Sequence, residues 1–357
     1  DLILIRDGDY EDQVMNGPAK AAGAQITFRA QNDGAVTVDS LDLTDVTQIT
    51  FEDFTVTDPD FAGPASNKMV DLVRADDLVF DGVDINRAWE TGDGLGITNS
   101  VDRLTFRNGS ICCAKEAKLI QMQKCCDGSA TGHTDILFEN VEVHHAVWAT
   151  STDDGDPHFE CWWIDAVDGL TLRNVKTWNC GSTGNIYDDT GAVDVLFSNT
   201  IWEAKRLGTS MTDVVPGAEV GYLGPKGGIS IDGSPAAGSN GIFEYSIIES
   251  GIITTGGWSA LTIRSNITGF ASCGGGAYTY SFNKHTAADC SASDTQVATV
   301  LNSGNYVDQA NQDWHAANCS TPQIDAGDTS SYPAADFDGV SRYLNAAPDI
   351  GPYEKAC

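Results

Sequence analysis

Asp135-Ile136-Leu137-Phe138-Glu139-Asn140-Val141, Gly169-Leu170-Thr171-Leu172-Arg173-Asn174-Val175 and Asp194-Val195-Leu196-Phe197-Ser198-Asn199-Thr200 are three copies of one pattern. In each, a large apolar residue stands two places before an Asn. Apolar and polar residues alternate up to that Asn, the period of a strand with one buried face. Asn tolerates left-handed backbone and hydrogen-bonds its own neighbours, so it marks the place where the strand turns. The three copies fall between His133 and Trp202, and the rest of the chain is read outward from them.

The same rung recurs on both sides. Upstream it reads Ile26-Thr27-Phe28, Ile49-Thr50-Phe51, Leu78-Val79-Phe80 and Leu104-Thr105-Phe106; downstream it reads Ile242-Phe243 and Leu261-Thr262-Ile263. The anchors Phe28, Phe51, Phe80, Phe106, Phe138, Leu172, Phe197, Phe243 and Ile263 are 20 to 46 residues apart. A period of that length, varied by insertion, is the signature of a solenoid. A second strand precedes many rungs, as in 70–74, 94–98, 119–123, 160–165, 184–188 and 228–232. Two or three short strands per turn predict an all-β fold, a single-domain right-handed parallel β-helix, whose turns stack about 4.8 Å apart. Each turn buries its apolar residues only against its neighbours. A β-sandwich is the rival, but the tight two-residue hairpins it needs are scarce here.

The 357 residues carry a net charge of -31, from 51 Asp and Glu against 20 Lys and Arg. So acidic a surface repels nucleic acid and anionic lipid. No run of 18 apolar residues exists to insert into a membrane. The repeat runs on without a linker, which predicts one elongated domain: turns over 1–304 with an insertion at 203–227 lying over one face, then a capping segment over 305–357. The chain opens inside a strand without an initiator Met, which reads as a missing signal peptide or longer N-terminal piece. Ten cysteines agree with secretion. They fall in local groups: Cys112 and Cys113 with Cys125 and Cys126, Cys161 with Cys180, Cys273 with Cys290, and Cys319 with Cys357. Disulfides are the expectation, since adjacent cysteines do not easily chelate one tetrahedral zinc.

The last 50 or so residues carry Asn305-Tyr306-Val307-Asp308, Ile324-Asp325-Ala326-Gly327-Asp328, Asp336-Phe337-Asp338-Gly339-Val340-Ser341-Arg342 and Asp349-Ile350-Gly351-Pro352-Tyr353-Glu354. In that order they resemble the C-terminal end of secreted bacterial right-handed β-helix proteins, including the group described as having a choice-of-anchor domain. The resemblance implies a β-helix at the cell surface or outside it, and it departs from the pattern in ending at Cys357 without a sorting tail. His158-Phe159-Glu160-Cys161, Leu170-Thr171-Leu172-Arg173-Asn174 and Cys180 are similar to a run in uncharacterised actinobacterial β-helix proteins. That likeness implies a Cys161–Cys180 pairing. Neither implies one reaction.

The densest polar and aromatic patch runs from His144 to Asp189. Aromatic faces stack on sugar rings and carboxylates flank the glycosidic bond, so the patch reads as a polysaccharide site. Its candidate catalytic carboxylates are Asp153, Asp154, Glu160 and Asp189; its candidate substrate contacts are Trp148, Trp162 and His158. Asp153 and Asp156 would hold Ca²⁺, although an acidic turn is more often only a turn. One of Trp162 and Trp163 must point into the core, because neighbours on a strand face opposite ways. A lyase base would come from Arg74, Lys118 or Lys124. The chain lacks the signatures of pectate lyases and polygalacturonases.

Two functions therefore stand side by side. One is an extracellular polysaccharide-directed protein, a glycoside hydrolase or a Ca²⁺-assisted lyase. The other is a non-catalytic surface protein: an adhesin, a glycan-binding module, or a filament subunit joined end to end through its uncovered first strand.

Overall fold

Phe28, Phe51, Phe80, Phe106, Phe138, Leu172, Phe197, Phe243 and Ile263 stand opposite one another on successive parallel strands. One strand neighbour per turn is what a solenoid requires, and the chain is an all-β parallel β-helix. A computed structural model describes residues 1–17, 25–57, 68–86, 93–115, 118–123, 132–147, 160–180, 182–188, 193–203, 228–233, 240–249, 251–254, 259–269, 278–286, 290–297 and 300–357.

Each full turn has three sides. The first carries the rungs. The second follows it after a left-handed corner, as in Asp84–Asn86 after Gly82 or Ile201–Trp202 after Asn199. The third is a separate sheet of nine strands that includes Lys68–Val73, Asp93–Thr98, Ile120–Gln123 and Glu160–Ile164, the additional strands expected from the sequence. Gly8–Tyr10 is a strand of the second side, paired with Val36–Val38.

The rungs keep their rings inside. Phe28, Phe51, Phe80, Phe106 and Phe138 form one stack with centroids 5.4 to 5.9 Å apart. Outward positions beside them bring several opposite charges together, although Glu52 and Asp81 stand directly opposite each other. Arg29 pairs with Glu52, Arg107 with Asp81, Arg173 with Glu139 and Arg264 with Glu244. The first three pairs are exposed and add little stability each, whereas Glu244 is buried beneath Arg264.

The Asn corners do more than turn the chain. Asn108, Asn140, Asn174 and Asn199 all have φ between 52° and 57°. Their amides form a ladder: Asn199 donates to Asn174, Asn174 to Asn140, Asn140 to Asn108, and Asn108 to the Asp81 carboxylate, at 2.8 to 3.2 Å. Every donor points toward the anion at one end. At the other end Arg342 donates to the Asn199 oxygen at 2.7 Å. Aligned amides ending on opposite charges polarise one another, which strengthens each bond. Asn140→Ala is expected to cost about 1–2 kcal/mol, from the lost ladder hydrogen bonds and from a left-handed backbone that Ala tolerates less well than Asn. Asn140→Gly should recover the backbone part, as a pair of thermal melts would measure.

The last strand of the coil is Thr295–Gln296. Segment 300–357 then packs back along the flank of the second side. There Ile201, Ile247 and Ile267 point outward, and they are buried because Val300, Tyr306, Trp314 and Ile350 lie on them. Cys319 is bonded to Cys357 within this segment, and Cys161 to Cys180 between the third and second sides. Cys290 is also disulfide-bonded. Within the group of Cys112, Cys113, Cys125 and Cys126, whose connectivity the sequence leaves open, Cys112 is bonded to its neighbour Cys113. Cys125, Cys126, Cys273 and the 204–227 part of the insertion lie outside the described residues.

Candidate functional site

Adjacent Trp162 and Trp163 settle which side of the coil is wet. Trp162 pairs in register with Ile120 and is fully buried, its indole N–H donating to Thr177 at 2.9 Å. It is a core residue and cannot stack on a sugar, so the substrate contact expected of it is corrected. Trp163 pairs with Gln121, is only half-buried, and faces outward. Glu160 lies on the same side of its strand as Trp162 and is 3% exposed. A polymer cannot reach it from the surface, so its catalytic role is corrected too. Trp148, Asp153, Asp154, Asp156, His158, Asp189 and Lys124 lie outside the described residues. Arg74 is held by the Asp45 carboxylate through two hydrogen bonds, at 2.7 and 2.9 Å, as an exposed corner pair.

Around Trp163, three strands of the third side bring together residues far apart in the chain. Lys118 places its ammonium 4.7 Å from the centre of the Trp163 ring, close enough for cation–π attraction. The Gln121 amide, turned with its nitrogen toward Asp93, donates to that carboxylate and accepts from Lys118 Nζ at 3.1 Å. The Lys118 backbone N–H donates to Asp93 Oδ1 at 3.2 Å. Register sets Lys68 opposite Asp93 on the next strand. Lys68 donates to Asp71 at 2.9 Å. Its stem lies on Gly96, where a Cβ would stand 2.1 Å from Lys68 Cδ. Gly96 thus lets an ammonium lie flat across the strand.

Burial pushes the Asp93 carboxyl above the usual carboxylate range. Lys118, a backbone hydrogen bond and Lys68 pull against burial, and Asp71 adds to it. A raised carboxyl beside an outward aromatic ring and two cations can hold a proton and hand it over. Asp93 is marked in the sequence only as one of two carboxylates in the loop Trp89-Glu90-Thr91-Gly92-Asp93-Gly94, and Gln121 and Lys68 are not marked as site residues, because each of the three comes from a different turn. Trp163 was visible only as half of an adjacent pair.

The second side presents a different cluster. His144 stacks on Trp178 with centroids 4.1 Å apart, and its Nδ1 is hydrogen-bonded to His145 Nδ1. Asn179 holds His145 Nε2 at 3.0 Å. Burial pushes His144 down to about 3, with His145 and Lys176 adding, and burial pushes His145 down to about 4. Both imidazoles are neutral at physiological pH.

No family model matches the chain, and no curated protein matches it. Among solved structures it is similar to the pectate lyase Pel9A, with TM-score 0.44 at 13% identity over 99% of this chain and 88% of that one. It is also similar to a PL6 family alginate lyase, AlyGC, with TM-score 0.37 at 11% identity over 83% of this chain and 50% of that one. A third is the pectin methylesterase from Aspergillus niger, with TM-score 0.36 at 15% identity over 83% and 81%. These are likenesses of architecture, and no residue role is taken from them.

Proposed function

We propose that the protein binds an extracellular polysaccharide along the outer face of its third side. Trp163 stacks on a sugar ring, Lys118, Gln121, Lys68 and Asp71 bond to hydroxyls, and Asp93 is the group suited to protonate a glycosidic oxygen. The observation that carries this reading is the Asp93 carboxyl, raised by burial and bonded to Lys118 and Gln121 beside an outward indole. Here the charges are paired, Lys68 with Asp71 and Lys118 beside Asp93. A face of paired charges offers donors and acceptors to hydroxyls without favouring a naked anion. The overall charge of -31 also disfavours a polyanion. Neutral glycans are therefore the expected ligands.

The disulfides support an oxidising location outside the cell. A hydrolase is the catalytic form of the proposal: Asp93 would act as acid, with a second carboxylate across the bond. The Ca²⁺-assisted lyase form would rest on Asp153 and Asp156, and no described residue supports it. The non-catalytic form needs only the binding face.

Calorimetry against a panel of neutral and uronate oligosaccharides tests the reading, with reducing ends and unsaturated-product absorbance followed in parallel. Trp163→Ala is expected to weaken binding at least about 10-fold, the loss of one aromatic contact of about 1.4 kcal/mol. Asp93→Asn should leave binding within a few-fold and abolish any release of reducing ends. A panel that never binds, or a Trp163→Ala protein that binds as the native one does, defeats the proposal.

A further inference from the structure

Outside the glycan face, the most unusual chemistry is on the second side, where Cys112 and Cys113 are bonded to each other. Both are nearly buried, and they sit in the wall beside His144. The two sulfurs and a ring nitrogen of His144 all lie within 4.8 Å of one another. His144 is fixed from both sides, by the Trp178 ring at 4.1 Å and by His145. The Cys112 sulfur lies 2.9 Å from Asn86 Oδ1. While the disulfide is intact no hydrogen stands between those two atoms; a Cys112 thiol would have an acceptor already in place.

We propose that Cys112, Cys113 and His144 form a site for a soft monovalent metal ion, Cu(I), closed while the sulfurs are bonded together and opened by thiol–disulfide exchange. Two thiolates and one neutral imidazole are ligands that favour soft ions. Three ligands complete the shell of Cu(I), whereas a tetrahedral ion needs a fourth, and the cluster holds only Cys112, Cys113 and His144 among the described residues. The opening step balances with a dithiol as reductant. Its thiolate attacks one sulfur, the Cys112–Cys113 bond breaks, each cysteine ends with one proton, and the reductant leaves as its own cyclic disulfide. Cu(I) then displaces both thiol protons to solvent as two sulfur–copper bonds form, with His144 as third ligand. The stacked Trp178 and the hydrogen bond from the His145 side hold the imidazole in place for this role.

The test uses the full chain, oxidised or treated with a dithiol, titrated with Cu(I) against bicinchoninate as competitor. The oxidised chain is expected to take up none and the reduced chain one ion that survives competition. His144→Gln should weaken that uptake at least 10-fold, and the Cys112→Ser, Cys113→Ser double variant, treated alike, should lose it. Alkylating the reduced native chain before adding copper makes the same test without a substitution. Equal uptake by the double variant would assign the copper to other thiols, and equal uptake by the alkylated chain would assign it to ligands other than thiols; either overturns the proposal, as would an unchanged affinity in His144→Gln or no uptake by the reduced chain.

Discussion

Arg342→Met is expected to destabilise the protein by about 3–5 kcal/mol, the cost of removing one partner from a buried, hydrogen-bonded charge. The guanidinium belongs to a fully buried side chain. It donates to Asn199 Oδ1 at 2.7 Å, the Gly351 carbonyl at 2.7 Å and the Asp349 carbonyl at 3.1 Å, and it lies 3.6 Å from Glu354. Its carbon sits 4.4 Å from the centre of the Tyr245 ring. Methionine fills the space but leaves two carbonyls and the end of the Asn ladder without their donor, and the Glu354 carboxylate without its cation. Arg342 also joins the C-terminal segment to the coil, so undocking of 300–357 is the expected failure. Limited proteolysis should cut the variant within that segment under conditions in which the native chain resists, and a thermal melt should move down. Native-like resistance would mean that the isoleucine face alone holds the segment.

The same segment carries a pH dependence. Burial pushes Asp349 up to about 7, with Glu354 and Asp325 adding and two backbone hydrogen bonds opposing. Its folded pKa lies above the ordinary value of 3.8. The proton it holds therefore stabilises the fold at low pH, and that contribution is lost as pH rises through about 7. Asp349→Asn should flatten the fall in melting temperature between about pH 4 and 7. A slope unchanged in the variant would place the dependence elsewhere.

Phe106→Ala is the second large effect, about 3–5 kcal/mol for a fully buried ring. Phe106 is 0% exposed and stacks between Phe80 at 5.8 Å and Phe138 at 5.9 Å. Its neighbours are fixed to the two adjacent turns by strand pairing, so the cavity cannot close by collapse. In a stack of turns each layer is shielded only by the next. The loss should therefore be local: amide exchange is expected to speed up in Asp76–Asp81, Asp102–Arg107 and the paired part of His133–Val147, while Ala260–Arg264 keeps its protection. Uniform loss along the chain would point to all-or-none unfolding instead.

The rungs were legible in the sequence because their cause is local. Period-two apolarity with an Asn at the corner needs no knowledge of distant residues, and Phe28 to Ile263 pair as that pattern implies. The strands of the second side were less visible, being only three residues long in Asp84–Asn86 and two in Ile201–Trp202. Ile201, Ile247 and Ile267 look like core residues, yet they face outward beneath the C-terminal segment. No local pattern records what covers them. The site was partly legible. Lys118 stood among the candidate bases, and the Trp162-Trp163 pair was known to split, but which indole faces out depends on the register with Ile120 and Gln121. Asp93, Lys68 and Gln121 reach the site through stacking of turns, a relation that spacing along the chain does not display.

Labelling of lysine amines by acetylation, with and without the tightest-binding glycan of the panel, tests the site most directly. The account predicts that Lys118 and Lys68 on the third side are protected by the glycan, while Lys176 and Lys284 on the second side are labelled as before. Unchanged labelling of Lys118 with protection at Lys176 or Lys284 would contradict it and move the binding face to the other wall of the coil.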